Sequence, residues 1–488
     1  MHLDITTRDY KTLKYLLNAF LPGTTVWAFG SRVKFTSKPE SDLDLVAFIQ
    51  PGQESSLADL RDAFAESDLL FKVDILDWGV IPDSFKKNIE KEYVVVQDEK
   101  EQIPSNWRVY KLEEIAKVQT GPFGSQLHQK DYTIEGTPII TVEHLGENKI
   151  LRNNLPRISD ADKERLNKYT LKEGDIVFSR VGSVDRRAFV TGQEDGWLFS
   201  GRCLRVRTTA KEVNSKYLSY LFGLEDFKSK IRSIAVGATM PSLNTSIMNN
   251  IEVSIPENIG SQIQIASILS SLDEKIEINQ QMNQTLENMA QAIFKEWFVN
   301  FNFPGFDGEL IHRLPKGWSK GKIEDLFVLQ RGFDLPAITR TVGNYPVMAS
   351  NGITTYHDEF KIEGPGVTTG RSGVLGKVFY TNERFWPLNT SLFVKEFKRA
   401  TPLFAYYTLL GLNLTQLNGG SAVPTLNRND VHGIDCLIPD KTLIEKFEDT
   451  AFRLFNKKRE NEKQIKSLSE IRDSLLPRLM NGKIKIND

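Results

Sequence analysis

Residues Ile103–Gly121, IPSNWRVYKLEEIAKVQTG, and residues Leu314–Gly332, LPKGWSKGKIEDLFVLQRG, align without a gap. Pro104 falls on Pro315, Trp107 on Trp318, Glu113 on Glu324, Gln119 on Gln330 and Gly121 on Gly332. A second pair follows in the same order, GATMPSLNTSIMNNIEVSIP from Gly237 over GSAVPTLNRNDVHGIDCLIP from Gly420. In it Pro241, Leu243, Asn244 and Pro256 match Pro424, Leu426, Asn427 and Pro439. Self-similarity at this spacing makes most of the chain a tandem of two related domains.

Each half ends in a long segment with few helix breakers. In the first, Ile265, Leu269, Leu272, Ile276, Asn279, Asn283, Leu286, Ala290, Ile293 and Trp297 alternate steps of four and three, the seam of a coiled coil. In the second the same steps give Phe447, Ala451, Leu454, Lys458, Asn461, Ile465, Leu468, Arg472, Leu475 and Leu479. Two matched helices in one chain predict antiparallel pairing. The polar seam residues Asn279, Asn283, Lys458 and Asn461 would penalise slipped registers. Short β-type runs (GDIVFSRVG, RCLRVRTT, GVTTGRSG, GKVFYT) between Gly/Pro/Asn turns fill the two domains. The expected fold class is therefore α+β multidomain: two mixed domains separated by two long antiparallel coiled-coil helices, preceded by a small α/β domain. The expected boundaries are 1–99, 100–258, 259–303, 304–440 and 441–488, the first marked by the polar run QDEKEQ from Gln97.

Composition narrows the function classes. At 488 residues, 26% charged, 40% hydrophobic and net charge -1, the chain reads as an ordinary multidomain globular protein without a polycationic arm. Two cysteines, Cys203 and Cys436, with no CxxC, argue against a disulfide framework or structural zinc and for a reducing cytosol. No window approaches 18 apolar residues, so no membrane partner is expected. The histidines lack metal spacing, and no methylase motif, GxGxxG or true phosphate loop occurs.

The combined pattern, (I/L)PxxW…QxG, then P(S/T)LN…IP and a long helix, resembles the specificity subunit of a type I restriction-modification enzyme over Ile103–Asp488. The resemblance implies double-stranded DNA with a bipartite target, one half read by each domain, and docking of two methylase subunits together with restriction/translocase subunits. Methylation and cleavage would belong to those partners, so the body would need no cofactor. A helix of about 40 residues is roughly 60 Å long, or about 17 base pairs, which suits two contacts separated by an unread gap. Candidate DNA contacts are basic residues on turn-rich segments: Arg180, Arg186, Arg187 and Arg202 in the first domain, Arg331, Arg371 and Lys377 in the second. Arg180 and Arg371 sit in comparable SRVG and GRSG contexts. Ser125, Gln126, His128 and Gln129 form a further loop candidate.

The leader is different. In FGSRVKFTSKPESDLDLVAF, Phe29–Phe48, period-two geometry puts Asp42 and Asp44 on one face of a strand, and Asp74 on a nearby strand completes three carboxylates. Oxygen-only ligands suit Mg²⁺, and Gly30 and Ser31 offer donors to a phosphate. The spacing GSR…SDLDL…VDIL resembles minimal nucleotidyltransferases of the polymerase-β-like superfamily. That resemblance implies a nucleoside triphosphate held at Gly30, Ser31 and Arg32, and Mg²⁺ on Asp42, Asp44 and Asp74, one of which acts as base. Val33 and Lys34 depart from the family pattern. The rival reading is a nucleotidyltransferase, antitoxin-like, whose body selects a protein or nucleic-acid acceptor; a coiled-coil adaptor is the third.

Overall fold

The computed structural model describes residues 3–38, 40–49, 52–97, 106–124, 126–237, 240–419 and 423–484. The expected leader boundary and Ser125 lie outside them, as does the Gln129 side chain. The chain divides into two compact units, Met1–Ser270 with Arg472–Asp488, and Ser271–Ile471.

In the first unit the leader contains α1 (Thr7–Phe20), β1 (Val26–Phe29), β2 (Leu43–Ala47), α2 (Glu54–Ala65), β3 (Val73–Asp77), α3 (Asp83–Ile89) and β4 (Val94–Gln97). Thr6 caps α1 by accepting the Asp9 N–H, and the i, i+4 pair Leu13 and Leu17 is fully buried. The sheet order is β3-β2-β1-β4, with β2 and β3 parallel and the other pairs antiparallel. One face packs Ala28, Leu43, Leu45 and Ile75 into the helical core. The other carries rings, with Trp27 stacked on Tyr93 at 3.8 Å and Phe48 on Trp78 at 4.7 Å. The strands expected around WAF, LDLVA and VDILD are present; α3 and β4 are additions to the sequence reading.

The first recognition domain is built on a five-stranded sheet formed, in order, by Ala116–Thr120, Cys203–Thr208, Ile176–Ser179, Arg187–Phe189 and Glu147–Asn148. In the second unit the corresponding sheet runs Phe327–Arg331, Ser391–Phe397, Gly366–Gly370 and Val378–Thr381. The structure explains why the opening and closing motifs recur together. Trp107–Lys111 pairs antiparallel with Glu252–Pro256, and Ser319–Lys322 with Asp435–Ile438, so each domain is closed by its own two ends. A four-residue helix follows each opening strand, Leu112–Ile115 and Ile323–Leu326.

The two long helices span Ile259–Phe298 and Lys441–Met480. Every seam position predicted from the sequence is buried or half-buried. Within the second unit their antiparallel register is read from three side-chain pairs: Asn279 with Gln464, Asn283 with Asn461, and Glu287 with Lys458. As one partner number rises the other falls. Phe294, Phe298 and Phe447 pack with Phe404 of the second recognition domain, at ring separations of 4.8 to 6.5 Å. The buried rings of Phe298, Phe404 and Phe447 contribute about 2 kcal/mol each. Glu448 of the second long helix accepts the Leu403 and Phe404 N–H groups, tying that domain's helix to it. Among the described residues no helix is long and apolar enough to cross a membrane.

Candidate nucleic-acid interface and leader carboxylate site

The recognition domains share a backbone frame around two arginines. Arg180 N–H donates to Arg202 O at 2.8 Å, Leu243 N–H donates to Arg180 O at 2.9 Å, and Gly182 N–H to Pro241 O at 2.9 Å. In the second domain Arg371 N–H donates to Thr390 O at 2.9 Å, Leu426 N–H to Arg371 O at 2.8 Å, and Gly373 N–H to Pro424 O at 2.9 Å. Gly182 and Gly373 both take left-handed backbone, φ +81° and +89°, which a side chain would disfavour. Each guanidinium also donates to loop carbonyls, Arg180 from Nη1 to Gly201 O and from Nε to Leu243 O, and Arg371 from Nη1 to Asn389 O. The two side chains are half-buried, each with its Nη2 outside these bonds.

The same frame sorts the other cations. Phe178 faces Arg187 across its sheet and Thr369 faces Val378, so Arg186 corresponds to Lys377 and Arg187 to Val378. Arg186 and Lys377 are exposed, and neither side chain has a protein partner among the described residues. Arg187 is a correction to the sequence reading. It is 2% exposed, donating to Ser219 O at 2.6 Å and pairing with Glu147 at 2.7 Å. Its counterpart Val378 is a core residue, and the guanidinium fills that interior position. Arg202 is exposed. Arg331 is exposed and lies 3.9 Å from Asp334. In the loop candidate, Gln126 is engaged by the Tyr169 hydroxyl, while His128 is exposed. The 186/377 correspondence was readable in the sequence by extending the SRVG/GRSG alignment six residues onward.

The interiors differ where the frames agree. Facing Gln119 in the first domain is Arg205, and Gln119 accepts from its guanidinium; facing Gln330 in the second is Phe393. Asp175, 1% exposed, receives Arg207 at 2.6 and 2.7 Å.

In the leader, Phe29 of β1 faces Asp44 of β2, and Asp44 faces Asp74 of β3. Gly30, at φ +84°, lies against the Asp44 carboxylate, and a Cβ there would overlap it. Burial pushes the Asp44 carboxyl above its ordinary range, and the neighbouring charges of Asp74 and Asp42 add to the rise. Asp42 and Asp74 are exposed. The donors fit a hard divalent cation in kind, and their mutual repulsion is what such a cation relieves. Among the described residues no three His, Cys, Asp or Glu side chains converge on one point as ligands, so a cation would have to draw the three in. Ser31 is half-buried, and its carbonyl accepts the Thr36 N–H at 3.1 Å. Arg32 is the second correction: its guanidinium turns inward, donating to Ser41 O at 2.7 and 3.0 Å and to Asp4 O at 2.8 Å, under Phe71. It pins the loop rather than reaching for a phosphate.

The family described as Type I restriction modification DNA specificity domain matches residues 104–288 and again 315–467. The chain belongs to that family. A specificity subunit of type I restriction enzyme MjaIX from Methanocaldococcus jannaschii is 24% identical over 79% of this chain and 95% of its own length. A type I S subunit from M. genitalium, solved by crystallography, superposes with TM-score 0.57 at 18% identity, over 77% of this chain and 96% of that one, and so shares the fold. The leader is matched separately, residues 12–102, by the polymerase beta nucleotidyltransferase family. A probable protein adenylyltransferase, MntA, from Haemophilus influenzae is 41% identical over 21% of this chain and 90% of its own length.

Proposed function

We propose that this member of the specificity family reads a bipartite double-stranded DNA target, one half-site per recognition domain. It docks two methylase subunits and, through them, the restriction subunits of a type I complex. The observation that carries the reading is the pair of corresponding cations, Arg180 with Arg371 and Arg186 with Lys377, held on one frame inside two otherwise different domains. Arginine offers a bidentate donor pair to guanine, and either cation neutralises phosphate. Two frames with different linings would read two different half-sites. The test is selection from random duplex DNA with the matching methylase subunits. Two short motifs separated by a constant gap are expected, with affinity falling steeply as salt rises; an enriched pool with no shared motif would exclude the reading.

The leader is proposed to be an accessory nucleotidyltransferase that moves a nucleotide onto an acceptor, as the likeness to a probable protein adenylyltransferase suggests. Asp42, Asp44 and Asp74 would hold Mg²⁺, which supplies charge neutralisation at the phosphates. Gly30 and Ser31 would line the phosphate side, and Arg32 would keep the loop in place. Incubation with Mg²⁺ and labelled nucleoside triphosphates should label an acceptor in wild type and not in the Asp42→Ala, Asp44→Ala protein. Equal labelling of the two proteins would exclude it.

A further inference from the structure

Midway along the long helices the seam stops being apolar. Asn279 Nδ2 donates to Gln464 Oε1 at 3.2 Å, Asn461 Nδ2 donates to Asn283 Oδ1 at 2.9 Å, and Lys458 Nζ meets Glu287 Oε2 at 3.0 Å. Asn279 and Asn461 are each 1% exposed, and the Glu287 and Lys458 side chains retain 16% and 27%. The other oxygen of Glu287 accepts from two hydroxyls of the second recognition domain, Tyr407 at 3.3 Å and Tyr406 at 3.5 Å. Burial and the Glu287 charge keep both tyrosines neutral, and so able to donate. Glu287 therefore gathers the first long helix, the second long helix and a recognition domain at one carboxylate.

Such a ladder adds little to stability. Desolvating an amide or an ion pair roughly cancels what its partner returns, and apolar replacement of a whole buried polar set is often neutral or stabilising. What the ladder supplies is direction. Packed rings such as Phe294 and Phe447 tolerate a displaced neighbour, whereas a shifted helix would leave the two buried amides of Asn279 and Asn461 and a half-buried ammonium and carboxylate without partners.

We propose that the Asn279–Gln464, Asn283–Asn461 and Glu287–Lys458 ladder, with Tyr406 and Tyr407 on Glu287, is a specificity-determining register lock that holds the gap between DNA half-sites to a single length. The proposal rests on the bipartite reading above and assigns to six residues of the long helices, outside both recognition domains, control over one feature of the target.

The experiment is selection from random duplex DNA by the full chain with its methylase subunits, scored for gap length, with thermal melting measured in parallel. Wild type should give one gap. A protein with all six ladder residues replaced by leucine, and Tyr406 and Tyr407 by phenylalanine so that no buried hydroxyl is left without its acceptor, should melt at the same temperature or higher, yet lose its single gap to a spread of lengths. Glu287→Leu alone should melt lower and also broaden the gap. Glu287→Lys with Lys458→Glu, which preserves the pair in reverse, should restore the wild-type gap. A single unchanged gap in the Glu287→Leu protein and in the six-leucine protein, or in the former alone if the latter does not melt cooperatively, would overturn the register lock. Absence of any paired motif in wild type would instead remove the bipartite reading on which it rests.

Discussion

The two recognition domains hold the same frame and fill it differently. Gly121 and Gly332 both sit where a Cβ would overlap backbone carbonyls, those of Ser200 and Leu388. Arg180 and Arg371 are clamped by matching backbone bonds. Yet the position facing the repeat's glutamine is a charged Arg205 in one domain and an aromatic Phe393 in the other. The buried acid Asp175 supports the first domain's arginines, and Gly366 stands at the matching place in the second. What the comparison teaches is a division of labour. The frame fixes where cations are presented, and the lining between them is free to change, as two recognition domains with different half-sites would require.

The comparison can be broken most severely at Asp175. Replacing it with alanine takes the carboxylate from Arg207 and from beside Arg205, leaving them the Thr170 carbonyl and, for Arg205, Gln119, and removal of one partner from a buried ionic group costs about 3–5 kcal/mol. Chemical denaturation of the Asp175→Ala protein should show that loss, while Gly366→Asp should not install an equivalent network in the second domain. Next in size is the shared frame. Gly121→Ala and Gly332→Ala each force a methyl into a backbone carbonyl and should destabilise by about 2–3 kcal/mol. The sharpening detail is that the two losses should be similar, since the same contact is violated in both domains.

The leader gives smaller effects of the opposite sign. Phe35 lies in left-handed backbone at φ +54° and is 61% exposed, on the loop that Arg32 pins. Phe35→Gly should therefore raise stability by about 1 kcal/mol, because relieved backbone strain outweighs the little packing lost. Asp44→Asn tests the carboxylate crowding. The Asp44 carboxyl is raised in the fold, so its ionised form destabilises the folded state at neutral pH, and that penalty disappears as pH falls below the ordinary carboxylate value. The asparagine variant should melt higher than wild type at pH 7, with the advantage vanishing towards pH 3.5. Added Mg²⁺ should raise the melting temperature of wild type more than that of the variant.

Much of this was legible from residue order. The seam positions followed from their 3.5-residue period, and the mid-helix polar residues were visible as its interruptions. Gln464 and Glu287 were not, because they flank the seam and reach into it only through long side chains. The leader's β4 was missed because it joins β1 from far along the chain, and α3 because seven residues after Pro82 carry too short a periodic signal. Arg186 and Arg187 are neighbours in sequence and look alike. Arg186 lies just before the strand and is exposed, whereas Arg187 is the strand's first residue and is buried, where Glu147 and the Ser219 carbonyl await it. Arg32 failed in the same way: a GSR context announces a basic residue beside a phosphate loop, but only three-dimensional closure of the Ser31–Ser41 loop reveals that its donors are already spent on Ser41 and Asp4.

The central claim is that corresponding cations in the two domains read different halves of one target. It is tested most directly by selecting duplex DNA with Arg180→Ala and Arg371→Ala proteins, each in complex with the methylase subunits. Each substitution should cost about 1–3 kcal/mol of discrimination at one half-site, relaxing the sequence there and leaving the other half-site and the gap unchanged, with the two proteins relaxing opposite halves. Relaxation of the same half by both, or of neither, would contradict the account.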